Sequence, residues 1–328
     1  PRVGTRMNVV FISPNFPQTY DQFCVRLREA GATVLGIGDA PYDTLRPELR
    51  EALADYLHVP DMTNKDAMVR ALGLFTWKHG KLDWIDSNNE HWLTIEAELR
   101  CEFHLPGLQP EELLRRRSKS GMKAIFHDAG IPYGPGEPLR GLEHAQAFVK
   151  KHGFPVVLKP DVGVGAAGAH KILDLPQLKH TVADLGPNYV IESFLVGRLI
   201  SFDGLVDKDG RVLHCTSHVY SDGILEVVTG RGHIHYYSER QIPQDLEEIG
   251  RATVRAFGMR GRFFHIEFFR LADGSLRALE VNMRPPGGFT TDLINFAADI
   301  DVYKLWALMV TGGELPREPI ARKYHVAH

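Results

Sequence analysis

The stretch at 261–289, GRFFHIEFFRLADGSLRALEVNMRPPGGF, leaves the chain the least freedom. Two runs of alternating character flank Asp273-Gly274, a dipeptide favoured in two-residue type I′ hairpin turns. A turn of that kind pairs Ala272 with Ser275 and carries the register outward. Glu267 then lies opposite Glu280, His265 opposite Asn282 and Phe263 opposite Arg284. Strand side chains alternate, so Glu267, Glu280, Asn282, His265 and Arg284 share one face. The other face carries Phe264, Ile266, Phe268, Leu279, Val281 and Met283. One face is core and the other a site; a longer turn would shift every pair.

Carboxylates directly opposite each other hold their Cβ atoms about 4.5–5.5 Å apart and repel. A hard divalent cation with oxygen ligands compensates best, and Mg²⁺ is commonly shared between one or two carboxylates and substrate phosphates. The pair therefore points to a nucleotide, and Arg284 on the same face offers a planar fork of donors to phosphate oxygens. The plain alternative is a solvated Glu pair on a polar sheet face.

The rest of the chain frames that hairpin. Strand-like runs at 8–12, 33–37, 56–59 and 82–86 alternate with helical spacing at 20–30, 65–78 and 90–101. That order predicts a Rossmann-like parallel α/β domain at 1–104. Ser13-Pro14-Asn15-Phe16-Pro17 follows the first strand in place of GxGxxG, which argues against a dinucleotide site. Residues 105–110 read as a connection, and Ser118 caps a helix to 129 that carries Lys119 and Lys123 one turn apart. Lys123 reads equally as a ligand or as a solvated helix residue. After a helix at 142–151, a strand at 154–160 places Lys159 at its end, just before Gly163-Val164-Gly165-Ala166-Ala167-Gly168. A loop with so little side chain lets backbone N–H groups approach phosphate oxygens.

Further strands are predicted at 189–195, 201–206, 211–217 and 224–228, then a polar, aromatic connection at 231–237. Helices at 245–257, 291–298 and 302–310 follow, and the tail at 317–328 shows no usable pattern. Arg231, His233 and Tyr236 are candidates for holding a substrate carboxylate or amine. His233-x-His235 has metal-ligand spacing but no evident third ligand. His265 reads equally as a site residue or a structural hydrogen-bonding one. The backbone of Gly287 and Gly288 forms either an oxyanion-binding turn beside Arg284 or simply the start of the next helix.

Taken in this order, the motifs resemble the ATP-grasp superfamily, of the carboxylate–amine or carboxylate–thiol ligase type with a carbamoyl-phosphate-synthase-like ATP-binding domain. F-H-I-E-F-F and A-L-E-V-N-M-R followed by P-P-G-G-F-T carry the match. The resemblance implies an ATP-grasp fold at 105–328, with a mobile lid at about 132–192 and a catalytic part with an antiparallel sheet core at about 193–328. It implies Glu267, Glu280 and Asn282 as ligands of Mg²⁺ or Mn²⁺, and Arg284 with Lys159 as catalytic residues. Lys119, Lys159, Gly163, Gly165, Gly168, Glu192 and Leu195 would hold ATP, the last two at the hinge whose backbone reads adenine. Where the family often has a ribose-gripping acid, this chain has Leu199.

The implied activity is an ADP-forming ligase that activates a small-molecule carboxylate as an acyl phosphate and passes it to an amine. The alternatives are a purine-pathway or carboxylase-type enzyme using bicarbonate or formate, and a nucleotide-binding sensor or scaffold without turnover. Composition excludes little else. A net charge of −3 gives no reason to expect nucleic acid or an anionic membrane as partner. Cys24, Cys101 and Cys215 are isolated, which suits a reducing compartment. No apolar run approaches the ~18 residues of a membrane span, and the start lacks a signal-peptide pattern; the cytoplasm is the expectation. A homodimer is the commonest arrangement should the chain self-associate.

Overall fold

A computed structural model describes residues 6–163, 168–221, 235–318 and 320–328. The expected strand at 224–228 and the candidate site residues Gly165, Arg231 and His233 lie outside the described residues.

The first sheet is four-stranded and parallel, in the order β3-β2-β1-β4. Its strands are β1 (Asn8–Ile12), β2 (Thr33–Gly38), β3 (Asp55–His58) and β4 (Trp84–Asp86). Val9 to Ile12 are buried without exposure, as a strand covered on both faces requires. Helices α1 (Asp21–Glu29), α2 (Pro47–Ala52), α3 (Lys65–His79) and α4 (Leu93–Glu102) connect and cover it. Between the connection expected at 105–110 and Ser118, a stretch with no predicted element, runs a further helix, α5 (Pro110–Arg117). Proline at its start, a capping box and three arginines in its last turn form it, signals hidden by its short length. Ser118 caps α6 (Lys119–Asp128), its side chain accepting from the Gly121 N–H at 3.1 Å.

A second four-stranded sheet, in the order β5-β8-β6-β7, contains β5 (Gly136–Pro138), β6 (Val156–Pro160), β7 (His170–Ile172) and β8 (Tyr189–Ser193). Helices α7 (Leu142–His152) and α8 (Leu175–Asp184) close its small core around Phe148, Leu158, Leu178 and Ile191.

The third sheet has six strands: β9 (Gly197–Val206), β10 (Val212–Thr216), β11 (His218–Tyr220), β12 (Tyr236–Ser238), β13 (Arg262–Leu271) and β14 (Leu276–Asn282). The order is β12-β11-β9-β13-β14, with β10 also on β9. Residues 236–238, expected as a connection, are thus a strand; their tyrosines pair with the tail, where Tyr236 and His328 exchange backbone hydrogen bonds of 3.1 and 2.9 Å. Tertiary pairing, invisible to local pattern, gives both segments their order. Helix α9 (Gln244–Ala256) packs on the apolar face of the sheet. Helices α10 (Thr290–Ala298) and α11 (Val302–Thr311) follow β14. Trp306 and Tyr303 of α11 pack with Phe23 of α1 and Phe263 of β13 in one core, so the first sheet's layer and the third are joined by buried aromatics.

The β13–β14 hairpin corrects the expected turn while keeping its consequence. Gly274 N–H donates to Leu271 O at 2.9 Å and Leu271 N–H to Ser275 O at 2.9 Å, which makes a three-residue loop. Gly274, at φ 83°, supplies the left-handed residue that such a loop needs. The added loop residue shifts the register, so Phe268 faces Ala278 and Arg270 faces Leu276. A β-bulge at Leu279 then shifts it back, and Glu267 faces Glu280 and His265 faces Asn282 as expected. Leu279, the extra residue, is half-buried; Leu276 and Ala278 take core positions instead. The described ladder ends at His265–Asn282, so Phe263 has no strand partner in Arg284.

Candidate active site

The ladder arranges the polar face of the third sheet in rungs. One runs Ser238, His218, Ser201, Glu267, Glu280 across β12, β11, β9, β13 and β14, because the registers bring each beside the next. The rung beside it holds Asp203, His265 and Asn282. Glu267 and Asn282 are buried and Glu280 is half-buried. Burial pushes the Glu280 carboxyl up, Lys119 opposes this, and the Glu267 charge adds to it. Among the described residues the Glu280 and Asn282 side chains make no hydrogen bond, while Glu267 Oε1 is 3.2 Å from His265 Nε2. Two opposed carboxyls with free oxygens and an unengaged amide are a donor set suited to a hard cation.

Lysines approach this face from α6 and the second sheet. Lys159 Nζ sits 2.6 Å from Glu192 Oε2, and Lys123 Nζ 3.0 Å from Glu192 Oε1. Lys123 also donates to Gly134 O at 3.2 Å and is buried, which replaces the solvated-residue alternative with an ion pair. Burial works against the Glu192 charge, but Lys159 and Lys123 outweigh it and hold the carboxyl at about 2. Burial likewise lowers Lys123 against the pull of Glu192. For Lys159, the attraction of Glu192 and then Glu280 overcomes burial and raises it. Lys119 is buried and lowered, with Glu280 as its largest opposing charge; its Nζ donates to Gly163 O at 3.5 Å. Lys119, Lys159 and the carboxylate pair therefore feel one another's fields.

Asp161, which sequence reasoning passed over, clamps the start of α6. It accepts from Ser120 N at 2.8 Å and from Ser120 Oγ at 2.7 Å, and its carbonyl from Lys119 N at 2.8 Å. The clamp fixes Lys119 against the loop after β6. In that loop Gly163 is exposed and Gly168 has φ +71°. Leu195, half-buried, lies where a Cβ on Gly134 would meet it at 3.0 Å.

Arg284 is placed beyond β14, its Nη1 donating to Pro285 O at 2.7 Å and its Nε 3.8 Å from Glu90 Oε2. Glu90 is the second omission. It stands in the turn after β4, at the carboxyl end of a parallel strand where such sheets place ligands, and also pairs with Arg117 at 3.2 Å. That topological position was the available signal. Gly287 and Gly288 are exposed, with Gly288 at φ +64°, and Thr290 Oγ1 donates to Gly287 O at 2.6 Å. Tyr236, buried, reaches Thr290 Oγ1 at 2.9 Å. A cavity of ≈ 700 Å³ lined by Leu199, Tyr220, Tyr236, Tyr237 and His328 opens along this end of the sheet.

Asp203 and His218 are the third omission. Asp203 Oδ1 is 2.6 Å from His265 Nδ1, and Oδ2 is 2.7 Å from His218 Nδ1. Burial disfavours the Asp203 charge, but His265 and His218 hold it well below the carboxylate range. Burial also works against a charged His265, yet Asp203 and Glu267 raise it to about 9. Ser201-x-Asp203 in an otherwise apolar strand was the signal, usable only once β9 is known to neighbour β13.

Residues 152–292, which span the second sheet's later strands and the polar rung of the third, match the ATP-grasp domain family. The chain is 24% identical over 260 residues to an L-arginine-specific L-amino acid ligase of Bacillus subtilis, covering 76% of this chain and 63% of the relative. It covers about half the length of the next curated relatives it matches. The crystal structure of an L-amino acid ligase from Bacillus licheniformis superposes with a TM-score of 0.72 at 19% identity, over 93% of this chain and 74% of that one. The biotin carboxylase domain of Hydrogenobacter thermophilus 2-oxoglutarate carboxylase, solved with MgADP and bicarbonate, gives 0.76 at 19% identity, over 98% and 74%. Among the described residues, no helix is long and apolar enough to cross a membrane.

Proposed function

We propose that the chain is an ATP-dependent, ADP-forming ligase that joins a small-molecule carboxylate to an amine. The observation that carries this is the opposed pair Glu267–Glu280, facing Lys119 and Lys159, with Asn282 alongside and Arg284 beyond the strand end. Glu267, Glu280 and Asn282 would hold Mg²⁺ or Mn²⁺, which when bound supplies charge neutralisation to the nucleotide phosphates. Lys119 and Lys159 would bind the phosphates, and the backbone at Glu192 and Leu195 the base. Glu192 keeps both of its lysines charged and in place.

In the proposed reaction a substrate carboxylate oxygen attacks the terminal phosphorus and ADP leaves. The amine nitrogen then attacks the acyl carbon and phosphate leaves. Such chemistry asks the protein mainly for positioning and charge stabilisation. Arg284 is suited to the developing phosphoryl charge, and Gly287, Gly288 and Tyr236 border the place for the acceptor. The division at 104/105 is supported by the change from the parallel sheet to the two later sheets.

The test is ADP release across a panel of amino acids and carboxylates, with hydroxylamine to trap an acyl phosphate. Release that requires a carboxylate and an amine supports the proposal. Release with bicarbonate alone selects the carboxylase-type alternative, and none with any member selects a scaffold.

A further inference from the structure

Asp203 is an expensive residue to place where it stands. It has no exposure, and neither have Ser201 and His218 around it. A buried charged cluster is often no more stabilising than apolar residues of the same volume. Its geometry is nevertheless complete: Oδ2 accepts from Ser201 Oγ at 2.5 Å and faces His218 Nδ1 at 2.7 Å, and Oδ1 faces His265 Nδ1 at 2.6 Å. Three strands contribute, β9 in the middle with β11 and β13 on either side. The only imidazole nitrogen of this cluster that reaches beyond it to a carboxylate, among the described residues, is His265 Nε2, 3.2 Å from Glu267 Oε1.

We infer that Asp203 is a positioning residue for the cation-binding carboxylate, acting through His265. Asp203 locks the imidazole plane from one side; the imidazole's far nitrogen then occupies Oε1 of Glu267. Glu267 is left one orientation, with Oε2 turned to the space it shares with Glu280. Without the lock, the Glu267 carboxyl rotates freely about its last torsion, and the opposed pair meets a cation with one oxygen out of place. Partners of this outer kind typically change metal affinity or activity by about 10–100-fold when removed. This rests on the proposed cation site.

The experiment measures Mn²⁺ uptake by electron paramagnetic resonance on the full chain with saturating ADP, alongside ADP affinity without metal and the melting temperature. D203N is expected to weaken Mn²⁺ binding by about 10-fold or more, with metal-free ADP affinity changed less than about twofold. H265N, which leaves Asp203 its His218 and Ser201 partners, gives the same result should D203N fail to fold. The double variant is expected to be no weaker than either single one, since the two residues act as a unit. I200V, a core change on the same strand, is expected to lower the melting temperature without moving Mn²⁺ affinity. Folded D203N or H265N with wild-type Mn²⁺ affinity overturns the positioning role alone. Wild-type protein that takes up no Mn²⁺ with ADP overturns the cation site and this role together.

Discussion

Replacing Glu192 by Gln removes the negative charge between a buried and a half-buried ammonium group, at 3.0 Å from Lys123 and 2.6 Å from Lys159. The folded carboxyl is held at about 2 against an ordinary value of 4.5. Its folded value is depressed, so the stability it contributes is fully present above the unfolded value and is lost as pH falls toward the folded one. The difference corresponds to about 3 kcal/mol at pH 7, at ~1.4 kcal/mol for each unit. By pH 3, a unit above the folded value, less than half of it remains. E192Q should therefore be about 3 kcal/mol less stable than wild type at pH 7, in the range measured for broken buried ion pairs. The gap should close to half or less by pH 3. Amide exchange of β8 under graded denaturant reads the layer that holds the pair. A loss below about 1 kcal/mol at pH 7, or a gap that stays constant on acidification, would show that Glu192 is not a charged partner of both lysines.

Other expectations concern the site and the packing that supports it. E280Q should abolish ADP release while leaving the melting temperature within a few degrees of wild type, since it removes a proposed cation ligand and no core contact; wild-type-like turnover would contradict the assignment. R284K should lower kcat by about 10²-fold or more with nucleotide affinity little changed, because an ammonium cannot reproduce the guanidinium fork; equal losses in kcat and nucleotide affinity would place Arg284 in ground-state binding instead. In α9, a Cβ at Gly250 would lie 2.3 Å from Phe202 Cδ1, a ring with no exposure. G250A should thus destabilise by about 1–3 kcal/mol despite a helix-propensity gain of ~1 kcal/mol, and a raised melting temperature would refute the close approach.

The hairpin shows what local pattern can and cannot convey. Alternation places His265 with Glu267 on one face of the first strand, and Glu280 with Asn282 on one face of the second, whatever the turn, because period-two geometry is a property of each strand itself. The opposition of Glu267 and Glu280 survives a misjudged turn only because the bulge at Leu279 offsets the longer loop. Strand-end Lys159, the Ser118 cap and the βα alternation of the first sheet are likewise local signals. They are written in neighbours a few residues apart, where propensity and capping act.

Glu90, Asp161, Asp203 and His218 stayed unread because each acquires its meaning from a partner far along the chain. Asp203 meets His265 across 62 positions, and Glu90 faces Arg284 only after the first sheet docks. Lys123 was ambiguous for the same reason: its helix face is solvent or interior according to what packs on it, and β8 brings Glu192 there. Residue order thus determined which chemistry-bearing side chains share a strand or a helix turn. Only the packing of three sheets decided which of them are desolvated together, and a charge changes its energy and its role when water is taken away from it.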